Sequence, residues 1–208
     1  MPFVSIDGID GSGKTLQVRH LVERLRAEGR TVVQTKEPDG GRLGKEIRTI
    51  LTRTERQLER VEELLLINAA RYDHVRSVIR PALAAGDWVV SDRYFDSTYA
   101  LQVFGAADEL GPLFDAVLRT VVGDTRPDAT IILDLPANKA AARRKIRKDG
   151  PSDPAEATRD FAQIAAGFRS AAAQDPGRCH IVNADRPEEI VRADIWAKIA
   201  PLLDEPEI

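Results

Sequence analysis

The chain is poor in cysteine, histidine and aromatic residues and has no long apolar run. Its single cysteine, Cys179, excludes an intrachain disulfide and fits a reducing compartment. His20, His74 and His180 lie too far apart in sequence to suggest a metal cluster. No stretch approaches the roughly 18 apolar residues of a membrane span. The first residues enter a strand pattern without the charged-then-apolar order of a secretory signal. Lys and Arg number 30 against 33 Asp and Glu, a net charge of -3. No global field therefore draws the chain to nucleic acid or to an anionic membrane. These absences predict a cytoplasmic protein with neither partner. What is present is 208 residues, 43% of them hydrophobic, enough to bury the core of one domain spanning 1–208.

The most informative stretch is Phe3-Val4-Ser5-Ile6-Asp7-Gly8-Ile9-Asp10-Gly11-Ser12-Gly13-Lys14-Thr15. Gly8, Gly13, Lys14 and Thr15 fit the phosphate-loop pattern, a glycine, four residues, then Gly-Lys-Ser/Thr. Phosphate oxygens need donors at close range, and glycine lets backbone N–H groups turn inward with no Cβ in the way. In such a loop the lysine reaches the β/γ-phosphates and the threonine hydroxyl meets Mg²⁺. Phe3, Val4 and Ile6 make a short apolar strand before the loop, and Leu16, Val18, Leu21, Val22 and Leu25 follow at helical spacing. The loop is thus predicted at a helix N-terminus, where the dipole favours an anion.

Further strands are expected at 31–35, 88–92, 129–135 and 179–183, each apolar and rich in β-branched residues. Helical spacing is expected over 43–51, 62–83, 110–122, 138–148, 161–173 and 187–203. Strands alternating with helices predict an α/β fold, a five-stranded parallel sheet with helices on both faces in the manner of P-loop kinases. Ligands of such sheets gather at the carboxyl edge of the strands. Asp92-Arg93-Tyr94 ends a strand there. Arg93 is suited to fork onto an acceptor phosphate; the plain alternative is a strand-end pair with Asp92. Arg71 is a second candidate, although an isolated arginine is more often solvated. The basic run Arg143 to Lys148 adjoins Gly150-Pro151. It reads either as a mobile lid around 143–156 or as a solvated helix face. Cys179, in an apolar strand, reads as core.

Several spaced motifs together resemble the bacterial thymidylate kinase family over nearly the whole length. They are the loop with Asp10 inside it, Lys36-Glu37-Pro38, Arg71 with His74, Ile79-Arg80-Pro81-Ala82-Leu83, Asp92-Arg93-Tyr94 with Ser97, Ala100 and Gln102, and Asn183-Ala184. The resemblance implies transfer of the ATP γ-phosphoryl group to dTMP, with Mg²⁺, in a homodimer. It implies an ATP site of Gly8, Ile9, Asp10, Gly11, Ser12, Gly13, Lys14, Thr15, Leu16, Arg143 and Ala184. It implies an acceptor site of Asp10, Glu37, Pro38, Ile67, Arg71, Arg93, Ser97, Thr98, Leu101 and Gln102. Thr15, Asp10 and Asp92 would serve the metal. Asp10, Lys14, Arg93 and Arg147 would be catalytic, Arg147 as the lid arginine that the loop itself lacks.

Four departures fall in the pocket and the lid. Ile67 stands where the family stacks a phenylalanine on thymine, and Leu101 replaces a tyrosine near the sugar. Asp153-Pro154-Ala155-Glu156 keeps the carboxylates of the family's Asp-Arg-Phe-Glu and loses its arginine. Ala165 replaces another arginine. Two alternatives follow: a kinase for another or modified pyrimidine deoxynucleoside monophosphate, or a degenerate ATP-binding regulatory protein.

Overall fold

Alternation of side chains along a central strand organises the molecule. The computed structural model describes residues 1–53, 58–146 and 159–203. The strands are β1 (Phe3–Gly8), β2 (Val32–Lys36), β3 (Trp88–Asp92), β4 (Ala129–Asp134) and β5 (Cys179–Asn183). All neighbours pair in parallel, in the order β2-β3-β1-β4-β5. Successive side chains of a strand point to opposite faces. Val4 and Ile6 therefore join Trp88 and Val90 in one apolar cluster, while Phe3 joins Val89 in another.

Two helices, α1 (Lys14–Ala27) and α9 (Glu188–Ile199), pack on each other; α1 also lies on β1, β2 and β3, and α9 on β4 and β5. The cluster around Phe3 and Val89 takes in α3 (Arg60–His74), α4 (Arg80–Ala84) and α6 (Ala107–Val121). Beside these run α2 (Gly44–Leu51), α5 (Phe95–Thr98), α7 (Ala137–Ile146) and α8 (Phe161–Gln174). The expected five-stranded parallel sheet with helices on both faces is thus observed. No helix among the described residues is long and apolar enough to cross a membrane.

The expected helix over 62–83 is one helical path from Arg60 to Ala84, interrupted by a π-helical segment, Val75–Ile79. Pro81 at the start of α4 has no N–H to give, and a wider turn ahead of it accommodates the missing bond. A helical stretch that periodicity does not predict runs through α5 into a second π segment, Tyr99–Val103. Phe95, Asp96, Ser97 and Thr98 are all buried there, so no polar face marks it. The expected closing helix is α9 followed by a 3₁₀ turn, Ala200–Leu203. Cys179 is buried, as expected of a core residue.

Candidate functional site

Because every strand runs the same way, Gly8, Lys36, Asp92, Asp134 and Asn183 end at one edge of the sheet. The chain leaves β1 for β2 and β3 on one side and later reaches β4 and β5 on the other. The phosphate loop therefore leaves the sheet where strand order reverses, the place where open α/β sheets form a crevice. A cavity of about 840 Å³ lies there.

The loop is shaped by its glycines at two points. Gly13 caps α1 at φ 99°, a left-handed conformation that side chains resist. Gly11 has φ 91°, and a Cβ there would stand 2.7 Å from the Ala140 carbonyl oxygen. Lys14, nearly buried, donates from Nζ to the Ile9 carbonyl at 3.0 Å and to Asp10 Oδ1 at 3.4 Å. The Ser12 hydroxyl is buried with no hydrogen-bond partner among the described residues. The Thr15 hydroxyl donates to Asp92 Oδ2 at 2.7 Å.

Arg93 does not pair with Asp92, the alternative that the sequence left open. Its Nη2 pairs with Asp10, and Nη1 donates to the Gly8 carbonyl at 3.2 Å and to Ser97 Oγ at 2.9 Å. The Ser97 hydroxyl spends its one proton on Asp7 Oδ1, which leaves its oxygen to accept from Arg93. Burial and then Asp96 push the Asp7 carboxyl up to about 6, against Ser97 and Arg93. Asp10 goes the other way. Burial raises it, but Arg93 and Lys14, with Arg159, hold it well below the usual carboxylate range. Burial and Arg93 together lower the Lys14 ammonium, against Asp10 and Asp92. For Arg93, burial is outweighed by Asp10, Asp92 and Asp7, which raise it.

Arg71 is 1% exposed and so is not the solvated residue expected of an isolated arginine. It donates to Glu37 Oε2 from Nε at 2.9 Å and from Nη2 at 2.6 Å, to Thr98 Oγ1 at 2.9 Å, and to Asn68 Oδ1 at 2.8 Å. His74 Nδ1 lies 3.2 Å from Glu37 Oε1, and its Nε2 lies 2.7 Å from Thr35 Oγ1. Burial would raise the Glu37 carboxyl, but Arg71 and His74 hold it below its usual value. Ile67, one helical turn before Arg71 on α3, is on the cavity wall, as are Leu101 and Gln102. At the other end Arg143 Nη2 donates to the Ala184 carbonyl at 3.0 Å.

The cavity thus gathers Asp10 to Leu16, Glu37, Pro38, Ile67, Arg71, Asp92, Arg93, Ser97, Thr98, Leu101, Gln102, Arg143 and Ala184. Two residues read from sequence as ATP-binding, Gly8 and Ile9, are not on its wall; their carbonyls accept from Arg93 and Lys14. Arg147 and most of the expected lid, 147–156, lie outside the described residues. Sequence reasoning passed over Asp7 and Arg159 and took Arg144 only as part of the basic run Arg143 to Lys148. An acidic residue inside a buried strand was a signal for Asp7. Arg144 donates from Nη1 to the Asp10 carbonyl at 2.7 Å and stacks on Phe161 at 3.7 Å; nothing in the local pattern marks Arg159.

The family model described as Thymidylate kinase matches residues 6–195. A thymidylate kinase of Methylococcus capsulatus is 38% identical over 202 residues, 97% of this chain and 96% of that one. One of Cereibacter sphaeroides is 42% identical over 211 residues, covering 97% and 95%. The crystal structure of thymidylate kinase from Ehrlichia chaffeensis superposes with a TM-score of 0.75 at 30% identity, covering 95% of this chain and 98% of that one.

Proposed function

This chain belongs to the thymidylate kinase family, and from that membership we infer that it transfers the γ-phosphoryl group of ATP to dTMP, giving dTDP and ADP. The observation that carries the reading is Asp10. Its carboxylate is bound by Lys14 of the phosphate loop and by Arg93 from the opposite half of one cavity.

Lys14 and the loop N–H groups hold the donor phosphates. Arg93 holds the acceptor phosphate in a fork set by Ser97 and Asp7. Arg71 and Glu37 frame the acceptor pocket, and Arg143 with the Ala184 backbone frames the donor base. Phosphoryl transfer leaves the protein little covalent work, so catalysis rests on this positioning and on charge. The Thr15 hydroxyl with the carboxylates of Asp92 and Asp10 is a set of hard oxygen donors that suits Mg²⁺. Among the described residues no cluster of three His, Cys, Asp or Glu could hold a metal, so the ion comes with the nucleotide. When bound, it neutralises charge on the β- and γ-phosphates. We extend the reading to a homodimer in the cytoplasm, and sedimentation of the purified protein tests its mass.

ADP formation from Mg²⁺-ATP across dTMP, dUMP, UMP, dCMP, CMP, dGMP and dAMP tests the function. Preference for dTMP is expected. Preference for another pyrimidine deoxynucleotide is the second reading, favoured by Ile67 and Leu101 on the wall. Absence of turnover with every acceptor overturns both.

A further inference from the structure

The short helix α5 carries hydroxyls to both arginines of the acceptor side. Ser97 Oγ accepts from Arg93 Nη1 at 2.9 Å, and Thr98 Oγ1 accepts from Arg71 Nη2 at 2.9 Å. Neither hydroxyl can aim an arginine unless the helix itself is held. Its four residues make about one turn, and a single turn fixes several dihedrals for one hydrogen bond, so it has little stability of its own. Its side chains have to hold it in place.

Asp96 supplies that hold. It is 3% exposed and is not on the cavity wall. Arg178, the residue before β5, takes its carboxylate in a fork: Nη1 donates to Oδ2 at 2.8 Å and Nη2 to Oδ1 at 2.9 Å. A two-point pair of this kind fixes direction as well as distance. The same guanidinium lies over the Phe95 ring, 4.7 Å from its centroid. It is itself anchored, Nε donating to Asp175 Oδ2 at 2.8 Å and Nη1 to Thr130 Oγ1 at 2.6 Å.

Thr130 carries the tie into the sheet. It faces Ser5 across the pairing of β1 with β4, and the two hydroxyl oxygens are 2.7 Å apart. Ser5 and Asp7 share one face of β1, being two residues apart, and Ser97 donates to Asp7 Oδ1. Helix α5 is therefore pinned to the sheet by Ser97 on Asp7 and by Asp96 through Arg178 and Thr130.

We propose that Arg178 is a positioning residue for acceptor binding: by forking Asp96 it sets the turn from which Ser97 and Thr98 aim Arg93 and Arg71. The proposal rests on the kinase reading above. Arg178 enters β5 at its amino end, whereas the cavity lies at the carboxyl edge, and it is not on the cavity wall. It acts only through α5. The donor phosphates are held by Lys14 and the loop N–H groups, which α5 does not carry, so loss of the fork weakens the acceptor and spares ATP.

The test compares full-length parent, Arg178→Met, Arg178→Lys and the double variant Arg178→Met with Asp96→Asn. Ile199→Ala, a buried substitution on α9, serves as the control for lost stability. The readouts are kcat, KM for dTMP and ATP, dTMP binding by calorimetry, and melting temperature, with kinetics taken well below each midpoint. Arg178→Met is expected to raise KM and Kd for dTMP about tenfold or more, with KM for ATP within about twofold of parent. It is also expected to melt lower, because Asp96 is left uncompensated. The double variant removes both ions and is expected to recover melting temperature while dTMP binding stays weak. Arg178→Lys is expected to bind dTMP with an affinity between those of parent and Arg178→Met, since an ammonium keeps the charge and loses the fork. Should Arg178→Met fail to fold, the double variant and Arg178→Lys carry the test. A parent that phosphorylates dTMP, with dTMP binding in the folded Arg178 variants equal to parent, overturns the role and leaves the kinase reading standing. So do equal rises in both KM values, dTMP binding that recovers in step with melting temperature in the double variant, or the same dTMP loss in Ile199→Ala. A parent that phosphorylates no monophosphate overturns the kinase reading and this role with it.

Discussion

Replacing Glu37 by glutamine removes one negative charge from a place that three nitrogen atoms approach. Arg71 Nε and Nη2 meet Oε2 at 2.9 and 2.6 Å, and His74 Nδ1 meets Oε1 at 3.2 Å. The carboxylate is 4% exposed and the guanidinium 1%, so water cannot replace the lost partner. Breaking a buried pair by removing one ion costs about 3–5 kcal/mol, because the other is left uncompensated. For a chain of this size about 2–4 °C of melting temperature goes with each kcal/mol. Glu37→Gln is therefore expected to melt roughly 6–20 °C below the parent at pH 7.5. The folded carboxyl lies below its ordinary 4.5. Its contribution is thus present above that pH and is lost as pH falls through the lowered value, so the gap between parent and variant narrows in acid. Arg71→Met combined with Glu37→Gln removes both ions and is expected to be more stable than Glu37→Gln alone. Thermal unfolding by circular dichroism reads both effects. A single variant within 2 °C of parent, or losses that simply add in the double variant, would refute the reasoning.

The opposite sign is expected at Asp7. Its carboxyl is raised from 3.8 to about 6, so a cost to stability appears as pH rises through that range, amounting to about 3 kcal/mol when complete. Asp7→Asn is expected to resist urea better than parent at pH 8 and no better at pH 3.5, while lowering kcat through the loosened Ser97–Arg93 fork; equal gains at both pH values would exclude the charge as the cause. Ile67→Phe restores a ring against the base, worth about 0.5–1.5 kcal/mol. KM for dTMP is expected to fall roughly 2–10-fold and the ratio of kcat/KM for dTMP over dUMP to change; an unchanged ratio would remove residue 67 from base selection.

Elements whose cause is local were readable in the sequence. Alternating or continuous apolar runs gave the strands, and the glycine spacing gave the phosphate loop, because period and positive φ are properties of a few neighbouring residues. The stretch from Phe95 to Val103 was not readable, since all four residues of α5 are buried and no face contrasts with another. The partners of charged residues were not readable either. Arg93 finds Asp10, 83 residues away, rather than adjacent Asp92, and Arg71 is buried by Glu37, 34 residues away. Such pairings arise only when β1, β3 and α3 converge at the sheet edge. Arg159 follows the Gly-Pro joint and belongs to no periodic segment, so it joins the site only through the docking of α8 on the phosphate loop.

Arg93 holds a backbone φ of 76°, and among the described residues it alone does so without being glycine. For a residue with a Cβ that conformation costs about 1–2 kcal/mol. Glycine at this position would relax the chain and abolish the fork on Asp10, Gly8 and Ser97 in the same step. The pairs that Arg93 makes with Asp10, Gly8 and Ser97 hold the chain in that conformation, so the strain persists only because this side chain ties β3 to the phosphate loop. A thermostability screen run without dTMP in the assay would therefore be expected to keep Arg93 for its contacts alone, whatever it does to the acceptor.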